Sequence, residues 1–270
     1  MQYTALGNTG LRVSVAGLGC CGNSRLGLGA GKSEDEAIAL VRAALDLGVN
    51  FFDTAEAYGT EEVLGRALAG VPRDQVVISS KSRILDQDGN LLSGAAVVGN
   101  LDTSLRRLEL DHVDLFHLHA VQAKHYDYAL SELAPALARQ KEHGKIGHLG
   151  ITETPPRDPD QAMLVRALND SCWEAVMLAF HMMHQGPSST VFPRTAAQAV
   201  GTLLMFVVRN IFSRPSVLRE TMMRLAHNGE ISERQNFERL SIRHGRFWPH
   251  ELAAARNGVN GATGSGYMAA

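Results

Sequence analysis

Between Val15 and Val208 the sequence alternates short apolar runs with stretches of helical period, and few architectures accept that order. The runs are Val15–Gly19, Asn50–Asp53, Val76–Lys81, Val113–His119, Ile146–Ile151, Trp173–Phe180 and Gly201–Val208. Their lengths suit buried strands rather than helices. Between them lie helical signals. Ser33-Glu34-Asp35-Glu36 is a capping box, and Gly48 stops the helix it opens. Thr60 is placed to cap the next helix, with Glu61 and Glu62 at its positive end and Gly70 and Pro72 beyond it. Leu101, Leu105 and Leu108 form an apolar stripe. Residues 127–143 read as a helix closed by Gly144, with further helices over 159–169 and 196–200. Strands alternating with helices imply right-handed crossovers and a parallel sheet. Seven consecutive units favour closure, and 270 residues suit a (β/α)8 barrel, which typically needs about 250. The expected fold is therefore an α/β, TIM-type (β/α)8 barrel. An N-terminal β-hairpin over residues 2–18 precedes it, turning at Gly7-Asn8 and Thr9-Gly10.

The pattern weakens at the end. Residues 215–228 carry a helical stripe of Leu218, Met222 and Leu225. Beyond Glu230 the chain turns polar, and residues 257–270 are small and Gly-rich, a composition that favours disorder. No eighth strand is evident. The expected division is a barrel domain over 1–228 and an atypical, partly disordered segment over 229–270. A barrel incomplete at this end exposes two sheet edges, and self-association is one way to cover them.

Composition excludes several classes. The formal charge is −2, which offers neither nucleic acid nor a membrane surface a basic field. The apolar run Gly201–Val208 is far short of the roughly 20 residues a bilayer requires. The start has no charged segment followed by an apolar one, so no signal peptide is read. Cys20, Cys21 and Cys172 make no disulfide framework, and a reducing cytoplasm is the expected location.

In such a barrel the chemistry sits at the C-terminal ends of the strands. Asp53, Lys81 and His119 end the second, third and fourth strands, and Tyr58 lies five residues past Asp53. Singly, each has a plain alternative: Asp53 as a turn residue, Lys81 as a solvated strand end, Tyr58 as packing, His119 as hydrogen-bonded structure. Together they suggest proton delivery. A nearby ammonium stabilises phenolate and lowers a phenol's pKa. Lys81 can supply the ammonium, Asp53 can orient it, and a neutral His119 can position a substrate oxygen. The side chains supply only a proton, so reduction of a carbonyl requires a hydride-carrying cofactor. His117 shares a strand face with His119, and such a pair can ligate zinc in a barrel hydrolase. No acidic ligand stands out at a later strand end, so no metal site is expected. The Gly17–Gly31 stretch has neither a Walker ending nor a GxGxxG fingerprint and reads as a flexible loop.

These residues resemble the aldo-keto reductase superfamily over roughly residues 1–208. Phe52-Asp53-Thr54-Ala55-Glu56-Ala57-Tyr58-Gly59 matches its Asp-Thr-Ala-x-x-Tyr-Gly motif. Leu6–Ser14 looks like its hairpin, Ser104–Leu108 with Asp111–His119 like the approach to its histidine, and Gly144–Ile151 like its fifth strand. The resemblance implies NAD(P)H-dependent reduction of an aldehyde or ketone, a small-molecule carbonyl substrate, and Tyr58 as acid within a tetrad with Asp53, Lys81 and His119. It favours NADPH, with NADH as the alternative. It also implies a nicotinamide site lined by Gly19, Cys20, Cys21, Asp53, Thr152, Glu153, Met177 and Phe206. Thr152-Glu153 stands where the family usually has Ser-Asn, and Met177 where it has Gln. The family's C-terminal cofactor segment is not recognisable. A second expectation is therefore a truncated homologue that binds a nucleotide or partner with weak turnover or none.

Overall fold

The structure is a computed structural model that describes residues 1–22, 24–155, 157–181, 184–208, 214–229 and 266–269. The chain divides into two compact units, Met1–Val207 with Gly264–Ala270, and Val208–Thr263. In the second unit the described element is a helix over Pro215–His227, with Leu218 buried and Met222 and Leu225 half-buried. Residues 230–265, where most of the atypical segment was expected, lie outside those described.

The first unit is a closed barrel. Its hairpin is β1 (Tyr3–Ala5) with β2 (Arg12–Ser14). Seven parallel strands come next: β3 (Ala16–Gly19), β4 (Phe51–Asp53), β5 (Val77–Arg83), β6 (Val113–His119), β7 (Ile146–Thr152), β8 (Ala175–Ala179) and β9 (Gly201–Met205). An eighth strand, β10 (Gly266–Ala269), pairs antiparallel with both β9 and β3. No eighth strand was evident in the sequence, and Gly266–Ala269 supplies one that pairs both edges. Two open edges offer unpaired backbone donors and acceptors. Pairing with them needs no apolar pattern, which is why the sequence carries no sign of this strand.

The connections are α1 (Glu34–Asp46), α2 (Glu61–Leu68), α3 (Gly94–Leu108), α4 (Tyr126–Tyr128), α5 (Ala134–Glu142), α6 (Ala162–Ala167), α7 (Pro187–Thr190) and α8 (Phe192–Gln198). The Ser33–Glu36 capping box forms as its spacing indicates. Thr60 makes no capping bond; its hydroxyl lies 3.0 Å from that of Thr54. Glu61 is buried rather than solvated at a helix end, accepting from Ser80 Oγ and pairing with Arg107. Between α4 and α5 a π-helical turn, Ala129–Leu133, precedes Pro135. Proline lacks an N–H and clashes with the preceding turn, and the wider turn accommodates it.

Alternation along the strands creates two cores. Outward residues such as Phe52, Ile78, Phe116, Leu118, Ile151 and Leu178 join the large cluster under the helices. Inward residues such as Phe51, Val77, Leu115, Ala175 and Leu203 fill the barrel, together with Leu6 and Val13 of the hairpin. The hairpin thus stops the N-terminal end of the barrel, and the polar inward residues lie towards the other end.

Candidate active site

Asp53 closes β4 and is fully buried, as is the Lys81 side chain on β5. Lys81 Nζ donates to Asp53 Oδ2 at 2.5 Å and to the Thr54 carbonyl at 2.7 Å. Ser79, the register partner of Asp53, donates to its other carboxylate oxygen at 2.7 Å. A buried ion pair is tolerated when further hydrogen bonds satisfy its remaining lone pairs and protons, and Ser79 and the Thr54 carbonyl supply such bonds here. Burial opposes the Lys81 charge, but Asp53 and Tyr58 outweigh it and raise the lysine pKa above its ordinary value.

Tyr58 ends a short 3-10 turn, Glu56–Tyr58, in the connection after β4. Lys81 Nζ lies 4.9 Å from the centre of its ring. Its Oη lies 3.3 Å from His119 Nε2, and the two rings meet edge to face at 5.5 Å. Burial pushes the phenol up to about 12, against the pull of Lys81. Proximity to Lys81 alone would lower the value, but desolvation exceeds the ammonium's effect. His119 is neutral, held down to about 3 by burial and by the Lys81 charge. Its Nδ1 is buried and has no partner among the described residues. An unmatched lone pair costs less than an unmatched N–H. On that ground the proton is assigned to Nε2, which donates to Tyr58 Oη and leaves the phenolic hydrogen directed to the cleft.

His117 lies one inward position deeper, fully buried, with neither ring nitrogen matched among the described residues and its pKa held well below the ordinary value by burial. Its ring fits because residue 150 is glycine: a Cβ there would lie 2.1 Å from His117 Nδ1. Among the described residues no group of three His, Cys, Asp or Glu is placed to hold a metal.

Above these residues opens a cavity of about 260 Å³. Of the residues anticipated at the site, Cys21, Tyr58, Lys81, His119, Thr152, Glu153, Met177 and Phe206 line it. Gly19, Cys20 and Asp53 do not. Gly19 is a backbone partner of Asp53, and Cys20 is wholly buried, its N–H donating to the Asp53 carbonyl at 2.8 Å. Asp53 reaches the cleft only through Lys81. Thr152 Oγ1 accepts the Ala120 N–H at 2.7 Å, which leaves its hydroxyl hydrogen to donate. Glu153 Oε1 accepts the Ala179 N–H at 2.7 Å, while Oε2 is buried and unmatched among the described residues.

Ala120, Thr154, Pro155, Arg157 and Met205 also line the cleft, with Ser79 behind it, and none of them stood out in the sequence. Ser79 could have been found, since it is inward-facing two residues before Lys81. Ala120 and Phe206 share a rarer feature: both come directly after strands at the cleft and have left-handed backbones, φ 57° and 62°. Non-glycine residues in that region are strained and gather at functional sites.

The sequence profile of the aldo/keto reductase family matches residues 20–240. The chain belongs to the aldo/keto reductase family. An L-galactose dehydrogenase of Arabidopsis thaliana is 41% identical over 161 residues, covering 57% of this chain and 49% of that protein. The aldo-keto reductase YhdN of Bacillus subtilis is 29% identical over 214 residues, covering 76% of this chain and 61% of its own length. This aldo/keto reductase chain thus spans about half to three fifths of those curated relatives. Among solved structures, the holo form of an aldo-keto reductase from Bacillus halodurans superposes with a TM-score of 0.63 at 27% identity, covering 76% of this chain and 65% of that one. Among the described residues no helix of this family member is long and apolar enough to cross a membrane.

Proposed function

We propose that the chain reduces a small aldehyde or ketone to the alcohol with a nicotinamide cofactor, Tyr58 delivering the proton. NADPH is the expected cofactor through the family resemblance, with NADH the alternative. The observation that carries this reading is the convergence of Tyr58 Oη, His119 Nε2 and the Asp53–Lys81 pair at one cleft.

The cleft has the features a nicotinamide ring needs. Met177 and Phe206 offer apolar surface, Thr152 offers a hydroxyl, and Glu153 Oε2 is a buried polar atom awaiting a partner. Cys21, Thr152, Glu153, Met177 and Phe206 would hold that end of the cofactor. When bound in its reduced form, it supplies the hydride for the carbonyl carbon.

The remaining chemistry is the chain's own. The Tyr58 hydroxyl hydrogen faces the position where a carbonyl oxygen is polarised, and the His119 Nε2–H that donates to Tyr58 Oη holds the phenol in that orientation. Tyr58 keeps its proton throughout the neutral range, since its pKa is pushed up to about 12. An oxygen becoming alkoxide is more basic than a phenolate, so the proton still moves from Tyr58 Oη to substrate. Lys81 then stands beside a new negative charge. That attraction exists only once the proton has begun to leave, and an interaction stronger in the transition state than in the ground state accelerates the step. Asp53 keeps the lysine in place.

The test is carbonyl-dependent oxidation of NADPH by Tyr58→Phe. The expected loss in kcat is roughly 10²- to 10⁴-fold, the usual value of a positioned acid. An undiminished rate over an aldehyde panel would overturn the assignment.

A further inference from the structure

The cleft holds one ionisable group that the proton-delivery chemistry does not use. Glu153 comes directly after β7, is 2% exposed and lines the cavity. Both ends of the residue are fixed by β8: its backbone N–H donates to the Met177 carbonyl at 3.2 Å, and Oε1 accepts from Ala179. Oε2 therefore has a set position, is buried, and has no partner among the described residues.

We infer that Glu153 distinguishes the two redox forms of the nicotinamide, its carboxylate selecting the cationic oxidised ring and its protonated form the neutral reduced ring. This rests on the nicotinamide site proposed above. The oxidised ring carries a positive charge that the reduced ring lacks. A carboxylate whose second oxygen is unmatched gains a counter-charge from the first and nothing comparable from the second. A protonated Oε2 instead offers an O–H to a carboxamide oxygen, a role neutral amide side chains can also fill.

The surroundings leave both forms accessible. Burial pushes the Glu153 carboxyl up to about 7; the Ala179 N–H opposes this, and the nearby Asp158 adds to it. Asp158 belongs to the same connection and is occupied in capping α6 through the Ala162 and Met163 N–H groups. Arg157 lines the cleft from that connection. Facing them are Lys81 from β5, paired with Asp53, neutral His119 from β6, protonated Tyr58 after β4, and Cys21 after β3. The β8 and β9 sides contribute Met177, Met205 and Phe206, which carry no charge. Binding the oxidised cofactor at neutral pH therefore releases a proton from Glu153 to solvent.

The test is calorimetric titration of the full chain with oxidised and reduced NADP and NAD. It is run from pH 6 to pH 8, and at pH 7 in two buffers of different ionisation heat. The expected result is that affinity for the oxidised form, relative to the reduced, rises about tenfold across this range, equivalent to one unit of pKa coupling. Binding of the oxidised form should release protons. Glu153→Gln should flatten the ratio and abolish the release, with Glu153→Leu as a second variant if the amide does not fold. A flat ratio in the wild-type chain overturns the inference and leaves the nicotinamide site standing, and so does proton release that survives in the variants. Binding of neither form by the wild-type chain overturns both.

Discussion

Asp53, Lys81, Tyr58 and His119 were legible because each is a polar residue at the end of an apolar strand or shortly after one, and the motif Asp53–Gly59 has little other reason to exist. What could not be read was how strongly burial acts on them. Proximity of Lys81 argued for a more acidic Tyr58, yet desolvation wins and the phenol rises to about 12. Depth also separates His117 from His119, which alternation alone places on one face. Both are kept neutral, and this has a consequence for acid stability. An unfolded histidine takes up a proton below about pH 6.5. The folded chain refuses it, so the unfolded state binds more protons and stability falls as pH falls. For His119 the decline continues to about 3. Each such group adds about 1.4 kcal/mol per pH unit to the slope. His117→Leu should make the fall in urea-unfolding free energy between pH 6 and pH 4.5 shallower by about that amount; an unchanged slope would mean that His117 titrates normally.

The seven parallel strands were legible to within a few residues, because apolar runs bounded by turn signals leave little choice of state. Helices fared less evenly. The helix expected over 159–169 is only Ala162–Ala167, since Gln161 adopts a left-handed backbone at φ 54° and the Asp158 carboxylate caps the helix at the Ala162 N–H. Glu61 read as a charge favouring the positive end of α2, and packing of α2 against its neighbours also turns it inward to Ser80 and Arg107. That packing also reverses a propensity rule. Alanine is favoured over glycine inside a helix by about 1 kcal/mol. On α2, however, a Cβ at Gly65 would lie 2.6 Å from the Leu108 carbonyl oxygen and 3.0 Å from that of Arg107. Backbone atoms cannot rotate away, so α2 and α3 would have to separate. Gly65→Ala should destabilise by about 1–3 kcal/mol, the usual cost of overpacking, rather than stabilise. Thermal unfolding followed by circular dichroism decides the sign, and a raised midpoint would show that the helices yield.

At the scale of the molecule, seven of eight barrel strands could be derived from alternation. The eighth is explained by what the other seven lack. β10 satisfies β3 and β9 at once, in the opposite direction to both. Removing residues 264–270 should leave two edges unpaired, and unpaired edges recruit other chains. Light scattering should then show association that increases with concentration, together with a lowered unfolding midpoint; a truncated chain that stays monomeric with an unchanged midpoint would mean that β10 contributes nothing to closure. Family membership and barrel class could be read from the first 208 residues alone, because the alternating units and the Asp53–Gly59 motif both lie there.

The separation of β9 from β10 along the chain bears on how the barrel is reached in time. Leu204 and Met268, register partners on the two strands, must meet although residues 205–267 intervene. At equilibrium this is a small matter, because each doubling of an intervening length adds only about 0.6 kcal/mol of closure entropy. Kinetically it matters more, since contacts between distant parts of a sequence form late. During synthesis the seven parallel strands emerge in order, each beside the one before. The ring can close only after Gly266–Ala269 has left the ribosome. Until then the nascent sheet has two reactive borders, and the interval before closure is when chaperones have most to protect.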